Sequence, residues 1–369
     1  MQKQTRQVTY GCLLHDIGKL LYRAGGDSGT HSRQGWAFLR SLWPEEKEIL
    51  RCVQLHHAAE LRAAAPAEDD LSWIACAADN LSAAADRRET EEGEPGTFRR
   101  YMPLASVFTH LNGEHPDHSI APYPQDGTLR MPERHAAALS AEPYQAAAEA
   151  LRRRLAGLPR EDAWVDSLLC LLESYTSMFP SSTCAGESPD ISLYDHLKTT
   201  AAIGACISEY LLSSGERNYK KRLFLEETAF RKENAFLLYS ADISGIQKFL
   251  YTVASDKVLR SLRSRSFFLE LLMEHYADEL LLACGVSRTN LLYSGGGHCY
   301  ILLPNTESVK AALSAWNQRF NAWLSGEFGV SLFLAHGWTE CSGNDLTNTP
   351  AEDAPYKAMF RRVSAAVSR

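Results

Sequence analysis

Apolar residues recur at helical spacing through most of the first half of the chain. The clearest faces are formed by Leu13, Ile17, Leu20 and Leu21, and by Leu50, Val53 and His57. This spacing predicts helices over residues 8–85, and similar patterns predict helices over 143–180 and 193–212. Between the first two regions, residues 86–134 are rich in charge, glycine and proline, which indicates an irregular insertion.

The period of the pattern changes in the second half of the chain. Short apolar runs, typical of buried strands, alternate there with longer stretches typical of helices. In order, they predict a strand at 235–240, a helix at 264–284, strands at 290–293 and 299–303, a helix at 307–327 and a strand at 330–335. This βαββαβ order is typical of the ferredoxin-like unit found in palm domains and nucleotide cyclases.

We therefore predict an α+β chain in which an all-α domain precedes a ferredoxin-like βαββαβ palm domain. The predicted boundaries are 1–212 for the helical domain, 213–233 for a linker, 234–340 for the palm-like domain and 341–369 for a tail. The tail is polar, and we expect it to lead into a second half that this sequence lacks.

Composition narrows the class of protein. The 369 residues carry a net charge of −7, which argues against a protein coated in nucleic acid. The nine cysteines are scattered and form no CxxC pair, which argues against a disulfide framework and against a cysteine-based zinc site. There is no signal peptide and no run of about 18 apolar residues. We expect a cytoplasmic protein that contacts no membrane and reaches nucleic acid through local basic patches or partner subunits.

A histidine and an aspartate stand side by side at His15 and Asp16, within an apolar helical stretch. Burying an ionised carboxylate is costly unless the charge is neutralised, and a divalent metal neutralises it well. Other residues that can ligate a metal follow in order along the chain, namely His31, His56, His57 and Asp79. This order is similar to that of the HD superfamily of metal-dependent phosphohydrolases, although a lone histidine such as His31 is more often an ordinary hydrogen-bonded residue.

Members of that superfamily normally carry an earlier histidine, and residues 1–14 contain none. The best substitute is His196, which shares a predicted helix face with Thr200 and Ile203. The first helix of the domain would then have moved to its end, so we predict a circularly permuted HD domain. The alternative is that His196 is a hydrogen-bonded core histidine.

The predicted centre draws on two groups of residues. One ion is expected to be held by His15, Asp16, Asp79 and His196, with Asp16 bridging to a second ion. The second ion, or the scissile phosphate, is expected to be bound by His31, His56 and His57, and spacing does not decide between His56 and His57. The divalent candidates are Mn, Ni, Co and Mg. Lys19 joins His15 and Asp16 as a predicted catalytic residue that contacts phosphate, although a solvated lysine is equally consistent.

The palm-like half offers a candidate nucleotide site. Catalytic palms hold two Mg²⁺ ions with a carboxylate at the end of the first strand and an acidic pair in the hairpin. Asp242 fits the first position, but the hairpin at 294–298 has no carboxylate, so catalysis by this domain alone is not expected. Its glycines allow backbone N–H groups to approach a phosphate, although a plain tight hairpin is equally consistent. The candidate residues for nucleotide binding are Asp242, Ser244, Gly245, Ser294, Gly295, Gly296 and Gly297.

Four segments, 14–19, 194–201, 242–247 and 262–267, together resemble the large subunit of type III-A CRISPR effector complexes, the Csm-type branch, over its N-terminal half. The resemblance implies a metal-dependent nuclease that cuts single-stranded DNA when guide RNA in the complex pairs with target RNA. It also implies that the palm contributes ATP binding to cyclic oligoadenylate synthesis in the complete protein. Other Csm-type subunits, guide RNA, target RNA, single-stranded DNA and ATP are the implied partners.

Two other functions remain open at this point. An HD phosphodiesterase could act on a small nucleotide signal, with the palm-like unit as its sensor. A non-catalytic scaffold could keep the metal for stability and use the palm to hold partner subunits. The late helix with His196 and the glycine-rich hairpin favour the CRISPR-type nuclease over both.

Overall fold

The computed structural model describes residues 1–26, 29–86, 98–108, 118–120, 131, 133–134, 140–158, 164–184, 187–252, 258–347 and 354–368. Helices dominate the first part of the chain, and a four-stranded sheet flanked by helices follows. The predicted α+β class is therefore confirmed.

The helical part is built from amphipathic segments that surround one hydrophobic core. In chain order these are α1 (Lys3–Leu14), α2 (Gly18–Arg23), α3 (His31–Leu42), α4 (Lys47–Gln54), α5 (Ala58–Ala64), α6 (Ser72–Asp86), α7 (Ala141–Ala156), α8 (Val165–Thr176) and α9 (Leu193–Ser214). The stretch predicted as helical at 143–180 forms two helices in the structure, because α7 ends at Ala156 and α8 begins at Val165.

The region predicted as an irregular insertion contains short strands. Strands β1 (Leu104–Ala105), β2 (His118–Ile120) and β3 (Glu133–Arg134) form a three-stranded antiparallel sheet. The prediction of irregular structure over 86–134 is therefore wrong for these residues, because pairs this short leave no periodic pattern to detect. Most of the rest of this region lies outside the described residues.

Helix α9 lies at the centre of the molecule. It packs against α1 and α6 on one side and against the sheet on the other. Its first turn is capped by the Ser192 hydroxyl, which accepts a hydrogen bond from the Asp195 amide at 3.0 Å. Small residues allow the close approach: a Cβ added at Gly204 would lie 2.7 Å from the Cys12 sulfur. Packing against α1, α6 and the sheet therefore holds the helix in place and positions its first turn.

The segment predicted as a linker is packed against the helical part. It forms a π-helical turn at Lys220–Leu225 and the short helix α10 (Glu227–Phe230). Tyr219, Leu223 and Phe230 are buried in the same core as the preceding helices. Residues 213–233 therefore extend the helical domain in the structure.

The palm-like part has the predicted βαββαβ order. Its elements are β4 (Phe236–Ser244), α11 (Ile246–Tyr251), α12 (Val258–Ala283), β5 (Leu291–Gly295), β6 (His298–Pro304), α13 (Glu307–Phe328), β7 (Phe333–Cys341) and, beyond the sheet, α14 (Pro355–Val367). The strands are ordered β5-β6-β4-β7, and every neighbouring pair is antiparallel. This is the strand order of a ferredoxin-like sheet.

Several predicted boundaries in this part are wrong, and two of them have a clear physical reason. The last strand begins at Phe333 rather than residue 330, because Gly329 adopts a left-handed φ of 58° and Val330 lies in the following turn, 98% exposed. The predicted polar tail contains α14, which packs against β4 and β7. Its buried side chains, Met359 and Val363, stand four residues apart, so one narrow face attaches the helix to the sheet.

Alternate side chains of β4 belong to different cores. Leu237, Tyr239 and Ala241 pack with α12 and α13, whereas Phe236 and Leu238 join the core of the helical part. The sheet is therefore covered on both faces, and α9 and the palm-like part share one apolar interface.

Asn290 joins α9 to the sheet through a fully buried side-chain amide. Its Nδ2 donates to the carbonyl oxygens of Leu302 at 2.8 Å and Ala202 at 3.3 Å. We expect Asn290→Ala to lower the free energy of unfolding by about 1–3 kcal/mol, because buried carbonyl groups lose their donor. Urea titration followed by circular dichroism measures the change. Asn344→Ala, at an exposed position, is the control, and an equal change in both variants would contradict this role.

Candidate metal centre

All of the predicted ligands except Asp79 lie at the ends of helices, in their first turns or in the turns between them. His15 and Asp16 occupy the turn between α1 and α2, and both are buried. His31 begins α3, and His56 and His57 lie between α4 and α5. Asp79 projects from the middle of α6, and His196 from the first turn of α9. Residues that are far apart in sequence therefore converge.

The first group contains His15, Asp16, Asp79 and His196, whose ligand atoms all lie within 4.8 Å of one another. His196 Nε2 is 3.2 Å from Asp79 Oδ1 and 3.5 Å from Asp16 Oδ2. His15 Nε2 is 3.4 Å from Asp79 Oδ1 and 3.3 Å from Asp16 Oδ2. The residues that the sequence assigned to one ion are thus neighbours in the structure, and all four are buried.

The second group contains His31, His56 and His57, also within 4.8 Å of one another. His31 Nε2 and His57 Nε2 are 2.9 Å apart. Asp16 connects the groups: its Oδ1 lies 3.1 Å from His31 Nε2 and 3.6 Å from His56 Nε2, whereas its Oδ2 faces the first group. Lys19 Nζ is 2.5 Å from Asp16 Oδ2. One carboxylate therefore faces two groups of histidines.

The pKa shifts run in opposite directions in the two groups: the pKa values of His15 and His196 are raised, and those of His56 and His57 are lowered. Burial opposes a charged His15, but Asp16 and Asp79 outweigh it and raise the pKa of His15 to about 9. Burial likewise opposes charge on His196, yet Asp16, Asp79 and Asp86 raise its pKa well above the usual value.

In the second group, burial and the neighbouring His56 lower the pKa of His57 to about 3, and burial also lowers the pKa of His56. Burial alone would raise the pKa of Asp16, but Lys19, His15 and His31 lower it well below its usual range. The neighbouring cationic groups therefore favour the ionised form of Asp16, and the carboxylates in turn favour a proton on His15 and on His196. A divalent cation can supply the same positive charge.

The residues fit such a cation. His15 Nε2, His56 Nε2 and Asp16 Oδ1 are buried and make no hydrogen bond of satisfactory geometry among the described residues, although each lies within 3.6 Å of another charged or ionisable side chain of the two groups. Each of these two histidines is oriented through its other ring nitrogen: Nδ1 lies 2.7 Å from the Cys12 carbonyl oxygen and 2.8 Å from that of Val53, respectively. Leaving such groups unpaired costs about 1–3 kcal/mol each, and a metal ion would satisfy several at once.

The candidate nucleotide residues lie around one end of the palm-like sheet. Asp242 and His298 are opposite each other in register, with His298 Nδ1 3.4 Å from Asp242 Oδ1. Ser294 donates a hydrogen bond to Glu274 at 2.9 Å. Ser244 ends β4 and is exposed. Nucleotide binding by these residues stays a prediction.

The glycines of that region also have steric reasons to be glycine. Gly245, Gly296 and Gly297 have left-handed φ values of 92°, 63° and 85°. A Cβ at Gly245 would lie 2.0 Å from the Ser331 carbonyl oxygen, and one at Gly297 would lie 2.3 Å from Ile246 Cδ1. Backbone contact therefore requires glycine at position 245, and the positive φ values favour glycine at 296 and 297, with or without a nucleotide.

Sequence reasoning missed one residue beside the metal centre, Asp86. Its Oδ2 lies 2.9 Å from His196 Nδ1. A usable signal was present, because Asp86 follows Asp79 by seven residues and the two therefore share a face of α6.

The geometry defines a class of protein: an HD-type cluster of histidines and aspartates followed by a palm-like sheet. A family model for the HD domain matches residues 3–84, and a model described as Csm1 subunit domain B matches residues 235–369. No helix in the described ranges combines the length and hydrophobicity needed to cross a membrane.

Curated relatives carry the name CRISPR system single-strand-specific deoxyribonuclease Cas10/Csm1 (subtype III-A). The relative from Mycobacterium tuberculosis is 37% identical over 406 residues, a match that covers 100% of this chain and 50% of the relative. The relative from Enterococcus italicus is 37% identical over 380 residues, covering 98% of this chain and 50% of the relative. The chain belongs to the Cas10/Csm1 family, and it spans about half the length of the curated relatives it matches.

Solved structures of Csm1 proteins are also similar to this chain. The crystal structure of Csm1 in T. onnurineus has a TM-score of 0.78 at 28% identity, covering 100% of this chain and 49% of that chain. The crystal structure of the Csm1–Csm4 cassette in complex with cA4 has a TM-score of 0.76 at 28% identity, covering 99% and 48%. The predicted HD and palm-type fold class and the predicted family are thus confirmed.

Proposed function

We propose that this chain carries the single-strand-specific deoxyribonuclease centre of a type III-A CRISPR effector complex. The observation that carries the proposal is the Asp16 carboxylate, whose two oxygens face separate groups of metal-ligating side chains. The names of the curated relatives support the reaction and its preference for single strands.

In this proposal, His15, Asp16, Asp79 and His196 hold one divalent ion, and His31, His56 and His57 hold a second ion or the phosphate. The candidates are Mn, Ni, Co and Mg. Bound divalent ions supply the Lewis acidity that activates water and stabilises negative charge on the phosphodiester oxygens. The chain's own residues would hold those ions, and Asp16, whose two oxygens face the two groups, would be shared between them.

The exposure of the side chains indicates where the substrate enters. His15, His56 and His196 are buried, whereas the side chains of His57, His31 and Lys19 are 37%, 27% and 21% exposed. A DNA backbone would therefore approach from the side of His31, His57 and Lys19. There Lys19, a cation beside Asp16, can neutralise a phosphate oxygen.

The palm-like part is proposed to contribute ATP binding to cyclic oligoadenylate synthesis in the complete protein. Similar chains were solved as a Csm1–Csm4 cassette with one ATP and with cA4. The proposed contacts lie at Asp242 and the hairpin at 294–298, and the absence of a hairpin carboxylate argues against synthesis by this chain alone. Csm4-type subunits, guide RNA and target RNA are the proposed partners, and the cytoplasm is the proposed compartment.

The purified chain, supplied with Mn²⁺, tests the nuclease proposal. We expect cleavage of labelled single-stranded DNA, little cleavage of duplex DNA, and complete loss of activity in EDTA. Cleavage of cyclic dinucleotides with DNA left intact would instead identify a phosphodiesterase of nucleotide signals. Binding of Mn²⁺ with neither substrate cut would identify a scaffold, and either of these results would overturn the proposal.

A further inference from the structure

The His196 imidazole lies between carboxylates on both of its edges. Its Nε2 faces the metal centre, 3.2 Å from Asp79 Oδ1 and 3.5 Å from Asp16 Oδ2. Its Nδ1 faces the other way, 2.9 Å from Asp86 Oδ2. Asp86 contacts the imidazole at Nδ1, on the side of the ring that faces away from the cluster. Its contact therefore orients the histidine and does not add a ligand to the cluster.

This arrangement differs from that of the other buried histidines. His15 and His56 each direct Nδ1 to the backbone carbonyl oxygen three residues earlier, in Cys12 and Val53. Such local contacts orient a ring without adding charge. His196 is instead oriented by an ionisable carboxylate on another helix, 110 residues earlier in the chain.

The carboxylate of Asp86 is itself held in place. Ser82, one turn earlier on α6, lies with its Oγ 3.3 Å from Asp86 Oδ2, to which it donates a hydrogen bond. The same Oγ is 3.3 Å from His196 Nδ1. Asp79, Ser82 and Asp86 share one face of α6, and that face packs against α9. One helix therefore supplies both a metal ligand and the group that orients its neighbouring ligand.

We propose that Asp86 is a positioning residue for the metal centre. By accepting a hydrogen bond from Nδ1–H, it fixes the His196 tautomer in which the Nε2 lone pair points toward Asp16 and Asp79. A carboxylate in this position also makes the imidazole a stronger ligand, as carboxylate–histidine–metal arrangements do in other proteins. The inference rests on the proposed metal centre, but it requires no assumption about the substrate.

Isothermal titration with Mn²⁺ alone, without DNA, provides the first test. Asp86→Ala should weaken Mn²⁺ binding by roughly 10–100-fold, the effect expected when a ligand loses its outer partner. Asp86→Asn should recover part of that loss, because the amide oxygen still accepts from Nδ1–H but carries no charge. Asp69→Ala, which removes an exposed carboxylate ahead of α6, is the control and should bind as the wild type does.

Nitrogen-15 spectra of the histidine rings provide the second test, with His196 assigned through its loss in His196→Gln. In the Zn²⁺-loaded wild type, we expect His196 to carry its proton on Nδ1. In Asp86→Ala, we expect that signature to shift or broaden, which a purely structural role of Asp86 would not produce. Thermal melts identify any variant that is simply unfolded, and Asp86→Asn then replaces Asp86→Ala in the comparison.

Two outcomes would overturn the inference: Asp86→Ala binding Mn²⁺ as tightly as the wild type, or equal weakening in Asp86→Ala and Asp69→Ala. Neither depends on nuclease activity. A wild-type chain that binds Mn²⁺ but cuts no DNA would defeat the proposed function while leaving the role of Asp86 intact.

Discussion

Asp16→Ala is expected to lower the rate of single-stranded DNA cleavage by at least about a thousandfold, equivalent to roughly 4 kcal/mol in the transition state. Asp16 Oδ2 lies 3.3 Å from His15 Nε2 and 3.5 Å from His196 Nε2, and Oδ1 lies 3.1 Å from His31 Nε2 and 3.6 Å from His56 Nε2. Removing this one side chain therefore takes a negative charge and a ligand from both groups.

Two measurements together check this prediction. Cleavage rates report the loss of activity, and thermal melts report metal binding, because a ligand that binds only the native state raises Tm. Mn²⁺ should raise the Tm of the wild type and have little effect on Asp16→Ala. Asp16→Asn retains the side-chain volume but not the charge, and it should lose as much cleavage activity as Asp16→Ala. Equal losses would show that the missing charge, and not a cavity, causes the effect.

The exposed Asp69 supplies the control. Asp69→Ala removes a carboxylate outside the centre and should retain both the cleavage rate and the Mn²⁺-dependent rise in Tm. An Asp16→Ala variant that also kept both properties would show that the bridging carboxylate is not part of the centre.

The helices were predictable because their signals are local. Helix α9 was predicted over 193–212 and spans Leu193–Ser214, between a capping Ser192 and a left-handed Gly215. Both signals are visible in the sequence, and the apolar residues between them leave no alternative to a buried helix.

The edges of the palm-like part were harder to predict because long-range contacts decide them. The apolar pattern predicts that Val330 begins the last strand, but this residue lies in the turn that follows the end of α13. Helix α14 offers only a narrow apolar face, with Met359 and Val363, so its place depends on β4 and β7 rather than on its own periodicity. Such contacts override a weak local pattern.

The candidate site was predictable in its residue types and not in its distances. His15 was grouped with His196, 181 positions later, because the resemblance to the HD superfamily implies an earlier histidine that residues 1–14 lack. The spacing of Asp79 and Asp86 places both on one face of α6, but the contact of Asp86 with the outer nitrogen of His196 depends on how α6 packs against α9. The sequence also could not show that neighbouring atoms crowd Gly245 and Gly297. A glycine-rich segment has the same sequence pattern whether its glycines are needed for packing or for binding a ligand.

Gly18→Ala is expected to lower the free energy of unfolding by at least about 3 kcal/mol and to weaken Mn²⁺ binding as well. A Cβ at Gly18 would lie 1.8 Å from the His31 carbonyl oxygen and 2.8 Å from the Gly35 amide nitrogen. Both are backbone atoms, so the clash cannot be relieved by rotating a side chain. Helix α3 must move away from α2, and His31, 3.1 Å from Asp16, moves with it.

Gly326→Ala is the matched control for this prediction. Gly326 lies in α13, and a Cβ added there would meet nothing within 4 Å. Alanine at such a helical position should stabilise the protein by about 0.4–1 kcal/mol, because it restricts the unfolded chain. Urea titration and Mn²⁺ calorimetry of both variants separate the two mechanisms. If Gly18→Ala matched Gly326→Ala in stability and in Mn²⁺ affinity, the close approach of α2 and α3 would not be what positions His31.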